Sequence, residues 1–240
     1  LNFKLKFSGT SEVITKRACW KCGAQIASFD LCSQCATLQR FPEGIDYFTL
    51  FGIGPRLGID LAWLETTFYQ LSRKFHPDFY QKSSSEEQAI SLENSALVNK
   101  AYRTLRDPIQ RMAYLLQRVD GGGTVSTEVL ADLFDEILEL QELLESVKET
   151  PGDLNQKRRL LEALRSEQAR FEQIQNEGKQ ELERIAADWD RLQKGSGAKE
   201  MTEAQRRLLP EMRQILSRRA YLDRVLNDIQ SGIEELEKGN

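Results

Sequence analysis

The chain has 240 residues and a mass of 27.5 kDa, enough to bury a sizeable core, so a mini-protein held together by staples is excluded. With 33 basic against 37 acidic side chains and a formal net charge of −4, it lacks the basic excess of a protein built to hold a phosphate backbone. At 40% hydrophobic and 29% charged it is too apolar for a disordered chain and too polar to span a membrane.

Proline and glycine are sparse, at 6 and 15, while Leu, Glu, Gln, Arg and Ala recur, so an all-α fold is expected. Charge is unevenly divided, with net values of +4 over 1–40, −1 over 41–126 and −7 over 127–240, which marks out three modules. The opening residues carry no apolar run of the secretory kind, and an intracellular protein is expected.

The first module, residues 1–40, holds all four cysteines: Cys19 and Cys22 in ACWKCG, Cys32 and Cys35 in LCSQCA. Two C-x-x-C knuckles let pairs of thiolates converge tetrahedrally on one Zn(II). The residues between them leave room for a hairpin, and Gly23 suits the turn after the first knuckle. Disulfides and a redox dithiol are the competing readings; nothing marks the chain for export, and no βαβ pattern surrounds either pair. Four protein ligands leave no open position, so the metal would be structural, and Fe(II) would also accept four sulfurs. Trp20 is expected to pack within the module. Lys16, Arg17, Lys21 and Arg40 raise a nucleic-acid reading, but the footprint is thin and a solvated face is the expectation.

The second module spans 41–120. Asp60 is an N-cap residue, and Leu61, Leu64, Phe68, Leu71 and Phe75 recur at steps of three and four, which predicts an amphipathic helix over 60–75. Pro77 ends it and pushes His76 out of the α region, so that His76, Pro77 and Asp78 form a stiff, exposed corner. Ser84 and Glu87 have capping-box spacing and open a second helix that runs to Asp107 and Pro108, with Leu92, Val98, Tyr102 and Leu105 among its apolar positions. Two helices joined by H-P-D and followed by N-x-A-Y and L-R-D-P resemble a J domain. The resemblance implies that His76, Pro77 and Asp78 contact the ATPase domain of a DnaK-class heat-shock chaperone and trigger hydrolysis there. Asp78 would pair with a cation of the chaperone, and Arg73 and Lys74 would supply the positive face. This helix carries only those two cations, fewer than general J proteins usually show, so a modest affinity is expected. His76 is the single histidine, and no Ser-His-Asp set, H-E-x-x-H or phosphate-binding G-x-x-x-x-G-K occurs; no catalytic site is expected.

Gly121 to Gly123 open a linker over 121–127, and residues 128–240 form the third module. Helices over 128–149, 153–194 and 210–237, broken at Pro151-Gly152, at Gly195-Ser196-Gly197 and near Pro210, predict an antiparallel three-helix bundle. On the first of them Leu130, Leu133, Ile137, Leu140, Leu144 and Val147 make the core stripe. Phe134 and Leu138 lie roughly 100–140° around the helix from it, flanked by Glu139, Glu142 and Glu145. Leaving two large apolar side chains in water forgoes about 1.5–3 kcal/mol each. Either a binding surface or packing against the third helix or the J-type segment is expected.

The tetracysteine N terminus, D-Y-F-T-L-F-G ahead of H-P-D-F, and a bundle containing E-I-L-E-L-Q-E and A-Y-L-D together resemble the HscB/Jac family of J co-chaperones, over nearly the whole chain from Cys19 onward. The tetracysteine extension is similar to that of animal members and is absent from many bacterial ones. The resemblance implies a non-enzymatic co-chaperone of iron–sulfur cluster assembly. It would bind the cluster scaffold protein through the bundle, deliver it to a DnaK/HscA-class chaperone and stimulate that chaperone's ATPase. By position the scaffold-binding residues would be Phe134, Leu138, Glu139, Glu142 and Tyr221. Asp135 stands where the family often has an apolar residue, and Ser146 where an acid can stand. A general J-domain chaperone for unfolded clients is the competing reading, but it would need a broad apolar cleft in place of this narrow acid-edged patch. The cysteine module either folds onto the J domain or mediates self-association. The expected compartment is the cytoplasm, with the mitochondrial matrix as the alternative, and neither nucleic acid nor a membrane is an expected partner.

Overall fold

The computed structural model describes residues 17–26, 29–120, 134–148, 153–194 and 201–238. It divides into two compact units, 1–115 and 116–240. The fold is all-α apart from the cysteine module, where β1 (Arg17–Ala18) pairs antiparallel with β2 (Gln25–Ile26) and a bridge joins Leu31 to Leu38.

In the first unit a short helix, α1 (Tyr47–Leu50), is started by the Asp46 side chain, which accepts from Thr49 N at 3.0 Å. Asp60 caps α2 (Leu61–Phe75) by accepting from Ala62 N and Trp63 N, and Ser84 caps α3 (Ser85–Arg106) by accepting from Glu87 N. Both helices begin where the capping residues predict. Leu64, Thr67, Leu71 and Phe75 of α2 and Ile90, Ser91, Asn94, Val98, Ala101 and Leu105 of α3 are buried at helical spacing, which makes the two helices a packed hairpin. Asp107 accepts from Gln110 N and Pro108 fills the first helical position, so the chain turns at once into α4 (Pro108–Asp120). Tyr114 of α4 stacks on Tyr47 with ring centroids 4.2 Å apart and gives its hydroxyl to Tyr47 N as acceptor, tying α1 to α4.

The second unit contains α5 (Phe134–Lys148), α6 (Leu154–Lys194) and α7 (Glu203–Lys238), each packed on the other two. Leu140, Val147, Leu164, Phe171, Leu222, Val225, Ile229, Ile233 and Leu236 form one core cluster, with Ile137 and Leu144 packed against it. The predicted core stripe of α5 is therefore the buried one; Leu130 and Leu133 lie outside the described residues. Gly232 lets α7 come close at the crossing, where an added Cβ would meet Leu144 Cδ2 at 3.0 Å and Leu164 Cδ1 at 3.3 Å.

One boundary needs correcting. The third helix begins at Glu203, seven residues before Pro210, where the sequence placed its start. Thr202 and Gln205 form the cap: Gln205 N donates to Thr202 Oγ1, and Gln205 Oε1 accepts from Thr202 N at 2.9 Å. Pro210 then lies inside the helix, flanked by Leu209 and Met212, which are both buried. Proline removes one backbone donor, but the burial on either side holds the helix through it.

Candidate functional site

The four cysteines converge. Cys19 Sγ lies 3.6 Å from Cys35 Sγ and Cys22 Sγ 3.7 Å from Cys32 Sγ, and all four sulfurs fall within 4.8 Å of one another. None is in a disulfide. Sulfurs at about 2.3 Å from a central ion occupy a tetrahedron with edges of about 3.8 Å, so the set has the size a metal ion requires. The two knuckles are built alike. Lys21 N donates to Cys19 Sγ and Gln34 N to Cys32 Sγ, both at 3.4 Å, and Gly23 N donates to Cys19 O and Ala36 N to Cys32 O, both at 2.9 Å. Gly23 has φ +73° as the turn demands, and Ala36 takes the matching position at φ +54°. The thiols titrate differently. The Thr37 hydroxyl, 3.3 Å from Cys35 Sγ, holds Cys35 down at about 6. Burial opposes ionisation of Cys19, but the amides of Cys22 and Lys21 outweigh it and lower that thiol. The Ala24 amide lowers Cys22, yet burial and the neighbouring thiols push it up to about 12. Trp20, expected to pack within the module, is instead 42% exposed and is tied to it by one hydrogen bond, from Nε1 to Leu38 O at 2.8 Å.

The module is seated on the J-type hairpin. Asn94 of α3 is 2% exposed; its Oδ1 accepts from Phe41 N and its Nδ2 donates to Gln39 O. Gln39, equally buried, donates from Nε2 to Cys19 Sγ at 3.3 Å. Arg40 pairs with Glu86 and Glu93, Leu38 N donates to Glu87 Oε1, and the Phe41 ring meets Phe75 edge-on at 4.9 Å. Arg17 donates to Arg40 O. Arg17 and Arg40, two of the basic residues that raised a nucleic-acid reading, are thus engaged within the chain.

The H-P-D corner forms as the sequence predicts. His76 ends α2 in an extended conformation, with φ −64° and ψ 127°, and Pro77–Tyr80 form a 3-10 turn. His76 Nδ1 accepts from Asp78 N at 3.3 Å and lies 3.5 Å from Asp78 Oδ2. Both side chains are exposed, and so is Phe79 beside them. The last carbonyls of α2 need partners, and side chains supply them: Tyr80 OH donates to Lys74 O at 2.9 Å and Ser91 Oγ to Phe75 O at 2.8 Å. Of the two cations expected to face a chaperone, Arg73 is exposed, whereas the Lys74 ammonium is paired with Asp30 of the cysteine module. Asp30, Gln39, Tyr80 and Asn94 were not singled out by sequence.

On the bundle, Leu138 is 49% exposed, as its displacement from the core stripe predicts, and Glu139 and Glu142 are exposed beside it. Glu139 reaches Arg170 at 4.0 Å. Tyr221 of α7 is half-buried against the bundle core, and burial raises its phenol above the usual range. Phe134 begins α5, and its side chain lies outside the described residues. Between α5 and α7 runs a groove of about 520 Å³, walled by Gln141, Glu145, Asp228 and Glu235 over Leu144 and Gly232.

No protein-family model matches the chain. The iron–sulfur cluster co-chaperone protein HscB homolog of Arabidopsis thaliana is 33% identical over 156 residues, which cover 64% of this chain and 61% of that protein. The HscB homolog of Neisseria meningitidis is 36% identical over 127 residues, 52% of this chain and 76% of the relative. The chain belongs to the HscB co-chaperone family. Mouse HscB is 36% identical over 132 residues, and this chain spans 61% and 56% of the lengths of the Arabidopsis and mouse HscB proteins. The crystal structure of human HscB superposes with a TM-score of 0.58 at 24% identity, covering 90% of this chain and 98% of that one, so the HscB fold extends over both units.

Proposed function

We propose that this chain is a non-enzymatic co-chaperone of iron–sulfur cluster assembly. Its bundle binds the cluster scaffold protein through Phe134, Leu138, Glu139, Glu142 and Tyr221, and its J domain delivers that complex to a DnaK/HscA-class chaperone and stimulates the chaperone's ATPase. The observation that carries the reading is the exposed His76-Pro77-Asp78 turn at the end of α2, with Arg73 beside it. A protruding carboxylate and an exposed cation on one stiffened corner suit charge-guided docking. Such docking acts through the partner's nucleotide site and asks no catalysis of this chain. The modules proposed are 1–40, 41–120 and 128–240, with 121–127 as linker.

The tetracysteine set fits Zn(II), which would be held by Cys19, Cys22, Cys32 and Cys35 and would fix the module's fold. Among the described residues no helix is long and apolar enough to cross a membrane. The compartment proposed is the cytoplasm, with the mitochondrial matrix as its alternative. The test is the steady-state ATPase of a DnaK-class chaperone with this protein, with and without an iron–sulfur scaffold, using His76→Gln as control. Synergy from the scaffold that disappears in the variant supports the reading. Stimulation indifferent to the scaffold removes the scaffold role, and none at all refutes the co-chaperone assignment. A triple alanine variant at Phe134, Leu138 and Tyr221 should lose scaffold binding and keep its helicity; unchanged affinity would refute the site.

A further inference from the structure

The two adjacent cations at the end of α2 face different tasks. Arg73 is exposed and stands one turn before the H-P-D corner. Lys74 points into the seam between α2 and the cysteine module, where its ammonium meets the Asp30 carboxylate; the two side chains retain only 29% and 22% exposure. Asp30 lies two residues before Cys32, so the backbone that places it is the backbone that places a metal ligand. On the other side, the Lys74 carbonyl accepts the Tyr80 hydroxyl, and Tyr80 closes the 3-10 turn that contains Pro77 and Asp78. A continuous chain of contacts therefore runs from the tetracysteine centre through Asp30, Lys74 and Tyr80 to the H-P-D corner. A second tie, from Cys19 Sγ through Gln39 to Asn94 of α3, holds the module on the same hairpin.

We propose that the tetracysteine module is a metal-dependent clamp on the chaperone-facing corner of the J domain, with Lys74 as its anchor on α2 and Arg73 as the cation left to the chaperone. Asp30, Lys74 and Tyr80 are positioning residues: they fix the turn whose exposed side chains make the contact. A partly buried pair is screened by salt far less than a surface one. The inference rests on the co-chaperone reading only for what the corner contacts; the clamp itself is a property of this chain.

The test uses the metal-loaded full chain and compares amide hydrogen exchange over 72–82 with the half-saturating concentration for chaperone stimulation. Asp30→Asn and Lys74→Met should each raise exchange at the corner about tenfold, with the double variant no worse than either single one. Removing the metal with a chelator should do the same, and reloading should reverse it. Arg73→Ala should leave exchange unchanged and raise the half-saturating concentration. Unchanged exchange in Asp30→Asn and in the chelated protein would overturn the clamp. A half-saturating concentration raised well beyond that of Asp30→Asn by Lys74→Met would overturn the division of labour, since Lys74 would then be giving its charge to the chaperone. Because exchange is read without any partner, a failure of the co-chaperone reading leaves this result interpretable.

Discussion

Asn94→Ala is expected to be the most damaging polar substitution in the first unit. The Asn94 side chain meets two backbone groups of the segment that leaves the cysteine module, accepting from Phe41 N at 3.2 Å and donating to Gln39 O at 2.9 Å. With Asn94 2% exposed and Gln39 2% exposed, water does not replace the lost amide. Each backbone group left unpaired costs about 1–3 kcal/mol, and together the loss is about 2–6 kcal/mol. For a unit of this size that lowers the melting temperature by on the order of 10 °C. Thermal unfolding of the metal-loaded protein, read in parallel by release of the ion to a coloured chelator, measures it. Asn99→Ala is the control, because among the described residues its amide bonds only to Ser95 O one turn back in its own helix. That variant should stay within about 0.5 kcal/mol of the parent. Equal losses for the two variants would refute the argument that Asn94 seats the module on α3.

Ala36→Gly should stabilise the metal-loaded protein by about 0.5–1 kcal/mol, since alanine at φ +54° carries left-handed strain that glycine lacks, offset in part by glycine's greater freedom when unfolded; chemical denaturation reads it. Gly178→Ala in open space on α6 should also stabilise, by about 0.5–1 kcal/mol, whereas Gly232→Val should cost about 1–3 kcal/mol because Leu144 and Leu164 already occupy the space, a contrast that calorimetry of the bundle resolves. Cobalt(II) loaded into the tetracysteine set should give the intense visible bands of a tetrahedral thiolate site, and acid should bleach them as protons compete for sulfur. Thr37→Val removes the hydroxyl that keeps Cys35 at about 6, so the thiol's affinity for protons rises and bleaching should occur at a higher pH than in the parent.

The parts of this protein written in local sequence were legible. Asp60 and Ser84 named the starts of α2 and α3, Pro77 named the corner, and the C-x-x-C spacing named the sulfur cluster, because each depends on neighbours within a few positions. Leu138 was legible for a related reason: helical periodicity alone placed it off the core stripe, and it is exposed. Pro210 misled because proline's local penalty was weighed without the Thr202 and Gln205 cap ahead of it or the burial of Leu209 and Met212 around it. That the cysteine module folds onto the J domain was one of two readings the sequence offered, but the residues that seat it there were not legible. Asp30 meets Lys74 across 44 positions, and Asn94 meets Gln39 across 55. Such pairs follow no periodicity, and a surface lysine in the sequence looks the same whether it faces a partner or its own chain. Ala36 was hidden too, since only the comparison of the two knuckles shows that alanine occupies the left-handed position glycine fills in the first.

The four sulfurs, alike in the ligand role they suit, are unequal toward the solvent. Cys19 and Cys32 are buried, Cys35 is half-buried and Cys22 is exposed. With a metal bound all four are thiolates and access alone ranks them, so an alkylating agent or oxidant would reach the loaded cluster at Cys22 first. Sulfur modified there could not remain a thiolate ligand, and Cys19, Cys32 and Cys35 would be left to hold the metal with three sulfurs. The durability of the centre in a corrosive milieu is set by its single outward-facing corner, however well the inner thiolates are shielded.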